Sequence, residues 1–235
     1  MSTSQIELRA GNSHLQLAPD LGGRITACSL ESSASETRPL FQPFDEAAHN
    51  PDLWAKGGLY PLVPYCGRIR DARLWHSGRY WSLIPQRGSP HSLHGIAQRR
   101  RWTVLSHGRS EALVGYRHVP DEHWPWPFEV SLSVILSPRR LQLSLNLRNL
   151  GINPMPGGLG FHPYLLHQVK DVLNFEAGRP WPFDDAYLAT RPPMYASGQV
   201  TSAAFVGSSH NRIAVEQRQR LREVQLSEPS SWPRP

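Results

Sequence analysis

The chain has 235 residues, and its 25 lysines and arginines against 19 aspartates and glutamates give a formal net charge of +6. Hydrophobic residues make up 39% and charged residues 19%, and the 22 prolines and 18 glycines favour many short strands joined by turns over long helices. Two isolated cysteines, Cys28 and Cys66, exclude a disulfide framework and a cysteine-based zinc site.

Targeting and partner signals are sparse. The first residues lack a basic region followed by an apolar one, and no apolar run is long enough to cross a bilayer, so we expect a cytoplasmic protein without a membrane partner. The arginines are spread along the chain rather than gathered in a basic tail, so we expect no nucleic-acid partner. A nucleic-acid-binding β protein remains the alternative from a different class, suggested only by charge and aromatic content.

The first half of the chain reads as strands and turns. Residues 4–32 alternate polar and apolar positions around glycine turns, which predicts consecutive antiparallel strands. Residues 31–50 are polar and irregular and are predicted to be a loop. The prolines at 61 and 64 are expected to exclude a central strand there. Residues 72–84 alternate on both sides of "HSGR", which is typical of a hairpin.

The second half contains the longest strand patterns. Residues 100–108, 110–119, 128–137 and 140–150 each alternate with period two and are bounded by proline, glycine or asparagine. The last two form the clearest hairpin. The sequence therefore predicts an all-β protein, a large antiparallel β-sandwich forming a single domain over residues 1–235.

Three segments combine histidine or arginine with glycine, proline and aromatic residues. They are "PYCGRIRDARLW" with Arg68, "SPHSLHGIAQRRRW" with His91 and His94, and "GFHPYL" with His162. Pro163 biases His162 towards an extended conformation, so its imidazole is expected to project from a strand. A sugar suits such groups, because aromatic rings stack on its C–H faces while imidazole and guanidinium bind its oxygens. Each residue alone is more often a packing residue.

The order of these pieces is informative. "LAPDLGGRI", the Arg68 segment, "HSLHGIAQRRRW", "WPWPFEVSLSV" and "NLGINPMPGGLGFHPYL" follow one another over residues 15–164 and resemble the aldose 1-epimerase (galactose mutarotase) family. The resemblance implies a large antiparallel β "supersandwich". It also implies interconversion of the α and β anomers of a free aldose of the galactose or glucose type, with no cofactor and no metal.

The resemblance also implies roles for individual residues. His162 of "GFHPY" would be the general acid that protonates the ring oxygen, and His94 of "LHG" would hydrogen-bond the sugar near the reacting centre. Arg68 matches the arginine of the family's "NRI" element, although this chain has Gly67 where the family usually has asparagine. Glu228, followed by proline, is the candidate for the base that takes the proton from the anomeric hydroxyl.

Two departures point to a weakened base half of the site. Ser202 and Ala203 stand where the family places an aspartate, and we expect the domain to lack the last strands of the family's fold. A non-catalytic or vestigial sugar-binding protein is therefore an alternative. A hexose-6-phosphate mutarotase is another alternative, in which the arginines at 99–101 would contact phosphate. The context "LHGIAQRRRW" favours the start of a surface strand for these arginines instead.

Overall fold

The computed structural model describes residues 5–32, 36–46, 50, 56–166, 172–176, 183–188, 210–217 and 220–227. Within these ranges the regular structure consists of seventeen β-strands and three single-turn 3₁₀ segments, with no α-helix. This confirms the predicted all-β class. The strands are β1 Ile6–Ala10, β2 Ser13–Ala18, β3 Arg24–Glu31, β4 Thr37–Pro39, β5 Leu59–Leu62, β6 Arg68–Ile69, β7 Arg73–His76, β8 Arg79–Ser82, β9 Ser92–Leu93, β10 Thr103–His107, β11 Glu111–His118, β12 Phe128–Ser137, β13 Arg140–Asn149, β14 Gly160–Pro163, β15 Val172–Glu176, β16 His210–Gln217 and β17 Arg220–Ser227.

Two large sheets form the sandwich. In the described chain the first sheet has the strand order β1-β2-β3-β5-β14, with β4 added beside β3. The second has the order β10-β11-β12-β13-β17-β16-β15. The described strands pair antiparallel except for β13 with β17, which run parallel from the Leu141–Val224 pair to the Leu143–Leu226 pair.

The core lies between the two sheets. Along β12 every second residue is buried from Phe128 to Leu136, as expected for a strand with one face against a core. Leu8, Leu15 and Leu17 of the first sheet belong to the same buried cluster as these residues, and β1 and β2 lie against β12. Burial of these apolar faces is the main source of stability in such a sandwich.

Two local predictions were wrong. Residues 37–39, predicted as loop, form β4 beside β3. Residues 59–62 form β5 inside the first sheet although Pro61 lacks an N–H donor. The proline is accommodated because the ladder between β5 and β3 consists of the single pair Ile25–Leu59, which does not need the N–H at position 61.

Two small antiparallel ladders complete the described part of the chain. The hairpin predicted around "HSGR" is confirmed as β7 and β8. Strand β6 pairs with β9, so that Arg68 lies opposite Leu93. None of the described residues forms a helix of the length and apolarity that a membrane span requires.

The core contact between the sheets predicts a clear contrast between two leucines. Leu132 on β12 is fully buried, whereas Leu105 on β10 is 56% exposed. We expect Leu132→Ala to lower the free energy of unfolding by about 2–5 kcal/mol, through lost burial and a cavity. The matched change Leu105→Ala should cost no more than about 0.5 kcal/mol. Urea denaturation measures both, and equal losses would contradict the assigned core.

Candidate functional site

His162 lies on β14, at the end of the first sheet. Strand β14 pairs with β5 so that His162 stands opposite Tyr60. The imidazole stacks on the Tyr60 ring, with centroids 5.1 Å apart and planes 10° apart, and on the Tyr164 ring at 4.8 Å and 26°. The neighbouring Phe161 packs against the core, so by strand alternation His162 lies on the opposite face of the sheet.

His94 lies beside His162. The centroids of the two imidazole rings are 5.5 Å apart, and the rings meet edge to face with 78° between their planes. His94 follows β9 and is held by Gly67, which precedes β6. The backbone N–H of Gly67 donates to Nδ1 of His94 at 3.1 Å, and the backbone N–H of His94 donates to the Gly67 carbonyl at 2.9 Å.

This backbone contact fixes the tautomer of His94. Because Nδ1 accepts from an amide, the proton of the neutral ring is on Nε2. Burial lowers the pKa of His94 to about 3, with further lowering by the nearby cationic groups of His162, Arg68 and Arg99. His94 is therefore neutral at pH 7 and carries an N–H donor on Nε2.

Gly95 explains why glycine follows His94 in the "LHG" motif. Its φ is +69°, and a Cβ at this position would lie 2.0 Å from the carbonyl oxygen of Val63. That carbonyl accepts hydrogen bonds from the N–H groups of Ile96 and Ala97. A side chain at 95 would displace this backbone contact and His94 with it.

Arg68 lies on β6, opposite the residue before His94. Its guanidinium carbon is 5.0 Å from the centroid of the Tyr187 ring, which is 66% exposed. The segment that carries Tyr187 is held by Asp184, which accepts the N–H groups of Ala186 and Leu188. Sequence reasoning missed Tyr187, since a single tyrosine after a turn carries no pattern.

Gly67, where the resemblance led us to expect asparagine, has φ +78°. No described atom lies within 4 Å of the point that its Cβ would occupy. The backbone of Gly67 positions His94, and the space beside it is open.

Arg24 is a second residue that sequence reasoning did not identify. It begins β3, is 3% exposed, and lies with its guanidinium carbon 4.3 Å from the ring centroids of both Phe44 and Tyr60. Its Nη1 donates to the Gly57 carbonyl at 2.7 Å. The available signal was an arginine directly after the two glycines of "GGRITACSL", at the start of the strand.

His162 also has a perturbed pKa. Burial lowers the pKa of its imidazole, and the positive charge of Arg24 lowers it further. The surroundings of His162 thus include the phenol ring of Tyr60, the imidazole ring of His94 and the positive charge of Arg24.

The arginines at 99–101 do not form one open basic patch. Arg101 makes a two-pronged contact with Asp20, at 3.0 and 3.1 Å, and Arg100 pairs with Asp121 at 3.0 Å. Arg99 donates to Gln86. Arg99 ends the 3₁₀ segment Ala97–Arg99, and Arg100 and Arg101 lie in the connection that leads to β10. The predicted surface strand thus begins just after the arginines, at Thr103.

The structure brings together three of the four predicted site residues, His162, His94 and Arg68. Glu228 lies outside the described residues, as do Ser202 and Ala203. Within the described ranges, no three histidine, cysteine, aspartate or glutamate residues are grouped so that they could hold a metal ion.

Comparison with known proteins gives a family match, a related sequence and several similar solved structures. The profile of the family described as aldose 1-epimerase matches residues 4–220. The uncharacterised protein YphB of Escherichia coli K12 is 26% identical over 161 residues, which take in 68% of this chain and 53% of YphB. The chain thus aligns with about half the length of that relative.

Solved structures share the fold. A proposed aldose 1-epimerase from Escherichia coli K12 superposes with a TM-score of 0.73 at 22% identity, covering 93% of this chain and 75% of the other. A galactose mutarotase-like protein from Clostridium acetobutylicum gives a TM-score of 0.69 at 16% identity, covering 94% and 73%. At these identities the likeness establishes the architecture.

The lowered pKa of His94 predicts a pH dependence of stability. The ordinary pKa of histidine is 6.5, and that of folded His94 is about 3. Between these two pH values the unfolded chain binds a proton that the folded protein does not, so the free energy of unfolding decreases as the pH falls. From about pH 6.5 to about pH 5 this one group should cost up to about 2 kcal/mol. Denaturation of His94→Asn should show a smaller loss on acidification than the wild type.

The exposed His107 on β10 supplies the control for this experiment. His107→Asn should retain the full acid sensitivity of the wild type. If His94→Asn and His107→Asn lose stability equally on acidification, His94 is not buried in its neutral form.

Proposed function

Because the chain belongs to the aldose 1-epimerase family, we propose that it interconverts the α and β anomers of a free aldose. The observation that carries this proposal is the contact between His162 and His94, whose ring centroids are 5.5 Å apart on the non-core side of β14. Two imidazoles and the Arg68 guanidinium there provide N–H donors for sugar oxygens, and the surrounding tyrosine rings suit the C–H faces of a pyranose.

The reaction is a transfer of protons coupled to opening of the sugar ring. A base takes the proton of the hydroxyl on C1, a C1–O1 double bond forms, the C1–O5 bond breaks, and an acid gives a proton to O5. Rotation about the C1–C2 bond presents the other face of the aldehyde, and the reverse steps close the ring to the other anomer. No oxidant, reductant or cofactor enters this balance.

His162 is the proposed acid. Its imidazolium form would give a proton to O5, and burial together with Arg24 favours release of that proton. Stacking on Tyr60 and Tyr164 restricts the orientation of the ring, which reduces the entropy cost of aligning donor and acceptor.

His94 and Arg68 are the proposed sugar-binding groups. With Nδ1 accepting from Gly67, His94 presents its Nε2–H to a sugar hydroxyl at any pH at which it is neutral. Arg68 contributes a fixed cation with several donors, and the exposed Tyr187 ring beside it offers a face for the sugar. Glu228 is the proposed base, from its place before proline in the sequence.

Loss of the proposed acid should abolish catalysis. We expect His162→Asn to lower the enzymatic rate of mutarotation by about 10²–10⁴-fold, the usual contribution of a positioned proton donor. The measurement is polarimetry of freshly dissolved α-glucose and α-galactose, corrected for the spontaneous rate in buffer. His107→Asn, on an exposed face of β10, is the matched control and should match the wild type.

Two results would overturn the assignment. Equal rates for wild type and His162→Asn would remove His162 from catalysis. If the wild type accelerates mutarotation of neither sugar, nor of glucose 6-phosphate, but still binds them in NMR saturation-transfer experiments, the protein binds sugars without catalysing their interconversion.

The base is tested separately. If Glu228 accepts the proton of the anomeric hydroxyl, Glu228→Gln should lower the rate by about 10²-fold or more while leaving sugar binding nearly unchanged. Glu111→Gln, on the exposed end of β11, controls for loss of a carboxylate in general. An unchanged rate in Glu228→Gln would assign the base to another residue.

A further inference from the structure

Arg24 is a buried cation whose placement the fold alone does not explain. It is 3% exposed, and no described carboxylate forms an ion pair with it. Its one hydrogen bond among the described groups runs from Nη1 to the Gly57 carbonyl, and its Nε is buried without a hydrogen-bond partner. The rings of Phe44 and Tyr60 also contact it, each with its centroid 4.3 Å from the guanidinium carbon.

Such a group is costly to bury. A charge taken from water must be compensated by an opposite charge or by hydrogen bonds, and here one carbonyl and two aromatic faces do so in part. Burial lowers the pKa of Arg24 to about 10, which still leaves the guanidinium protonated at neutral pH. An apolar residue of similar volume would serve packing as well or better. Packing alone therefore does not account for a positive charge at this position.

The Tyr60 ring lies between Arg24 and the imidazole of His162. Tyr60, which contacts the Arg24 guanidinium, also stacks on His162 with 10° between the ring planes. All three residues come from the first sheet, Arg24 from β3, Tyr60 from β5 and His162 from β14, and backbone pairing sets His162 directly opposite Tyr60. The tyrosine ring thus connects a fixed positive charge to the imidazole.

The other groups around His162 do not cancel that charge. Tyr164 stacks on it from the end of β14, and His94, which is neutral at pH 7, meets it edge to face from the β9 side. Arg68, which acts on His94 from β6, adds a second positive charge to this side of the sheet. Of the two arginines near His162 in the described chain, Arg24 is buried and Arg68 is half-buried.

We propose that Arg24 is a positioning residue for His162, holding the Tyr60 ring against the imidazole and making the protonated imidazole a stronger proton donor. This inference rests on the proposed function in naming His162 the acid. Arg24 need not touch the sugar; it acts through Tyr60 and through its field. A cation that repels the imidazolium makes transfer of its proton to O5 more favourable, and in the reverse step makes His162 a weaker proton acceptor.

The test is an NMR titration of His162, independent of turnover. The imidazole C–H signal of His162 is assigned by its loss in His162→Asn. In the wild type it should titrate below the ordinary histidine value. In Arg24→Gln, which keeps the length and a donor but not the charge, the midpoint should rise by roughly 1 unit, about a tenfold change in acid strength. Arg24→Lys should keep the midpoint near that of the wild type.

The control is Arg148→Gln, since Arg148 lies on the surface of β13 and pairs with Glu129. It should leave the midpoint unchanged. If Arg24→Gln does not fold, Arg24→Met takes its place, because apolar replacement of a poorly compensated buried charge is often neutral or stabilising. A wild-type midpoint at or above the ordinary histidine value, or a midpoint unmoved in the neutral variants, would overturn the inference.

Kinetics separate this inference from the proposed function. One limb of the pH profile of kcat/KM should follow the titration of His162. This limb should lie at higher pH in Arg24→Gln than in the wild type, by the same amount as the NMR midpoint. Turnover by the wild type without any shift in Arg24→Gln would refute the role of Arg24 and leave the function standing. A shifted midpoint without wild-type turnover on any aldose would refute the proposed function, and with it the catalytic reason for the Arg24–His162 coupling.

Discussion

The pairing of β14 with β5 is the constraint on which the candidate site depends. It sets His162 opposite Tyr60, and β5 in turn meets β3 at the residue after Arg24. A slip of one residue in this register would turn His162 towards the core and Phe161 away from it. The sandwich therefore does more than provide a stable scaffold, because the same register that packs Phe161 against the core sets His162 against Tyr60.

Backbone contacts, rather than carboxylates, hold the described half of the site. His94 receives its orientation from the Gly67 amide and carbonyl, and the absence of a Cβ at Gly95 allows the chain to approach Val63. A carboxylate partner would have stabilised the charged imidazole, whereas an amide donor fixes the tautomer and leaves the ring neutral. This suits a residue that hydrogen-bonds a neutral sugar and transfers no proton of its own.

The sequence predicted the fold well where period-two alternation was long, as along β12 and β13, because burial of one strand face leaves a direct mark on residue order. The sequence-based prediction was wrong at β5. Proline is tolerated there because the ladder between β3 and β5 is a single residue pair, and this depends on the tertiary structure. His162, His94 and Arg68 stood in motifs and could be named from order alone. Arg24 and Tyr187 were missed, because their relevance comes from ring contacts between residues distant in sequence, Arg24 with Tyr60 and Arg68 with Tyr187.

The described groups around His162 are donors, rings and cations, and this composition constrains the remaining chemistry. Ring opening needs an acceptor for the anomeric proton as well as a donor for the ring oxygen, and neutral His94 with its proton on Nε2 cannot take that part while Nδ1 is engaged by Gly67. A carboxylate brought to a site flanked by Arg24 and Arg68 would be held in its ionised form by their charges. Arg24 thus weakens the hold of His162 on its proton, and in the proposed reaction Arg24 and Arg68 together would keep an incoming acidic side chain ionised and ready to accept a proton.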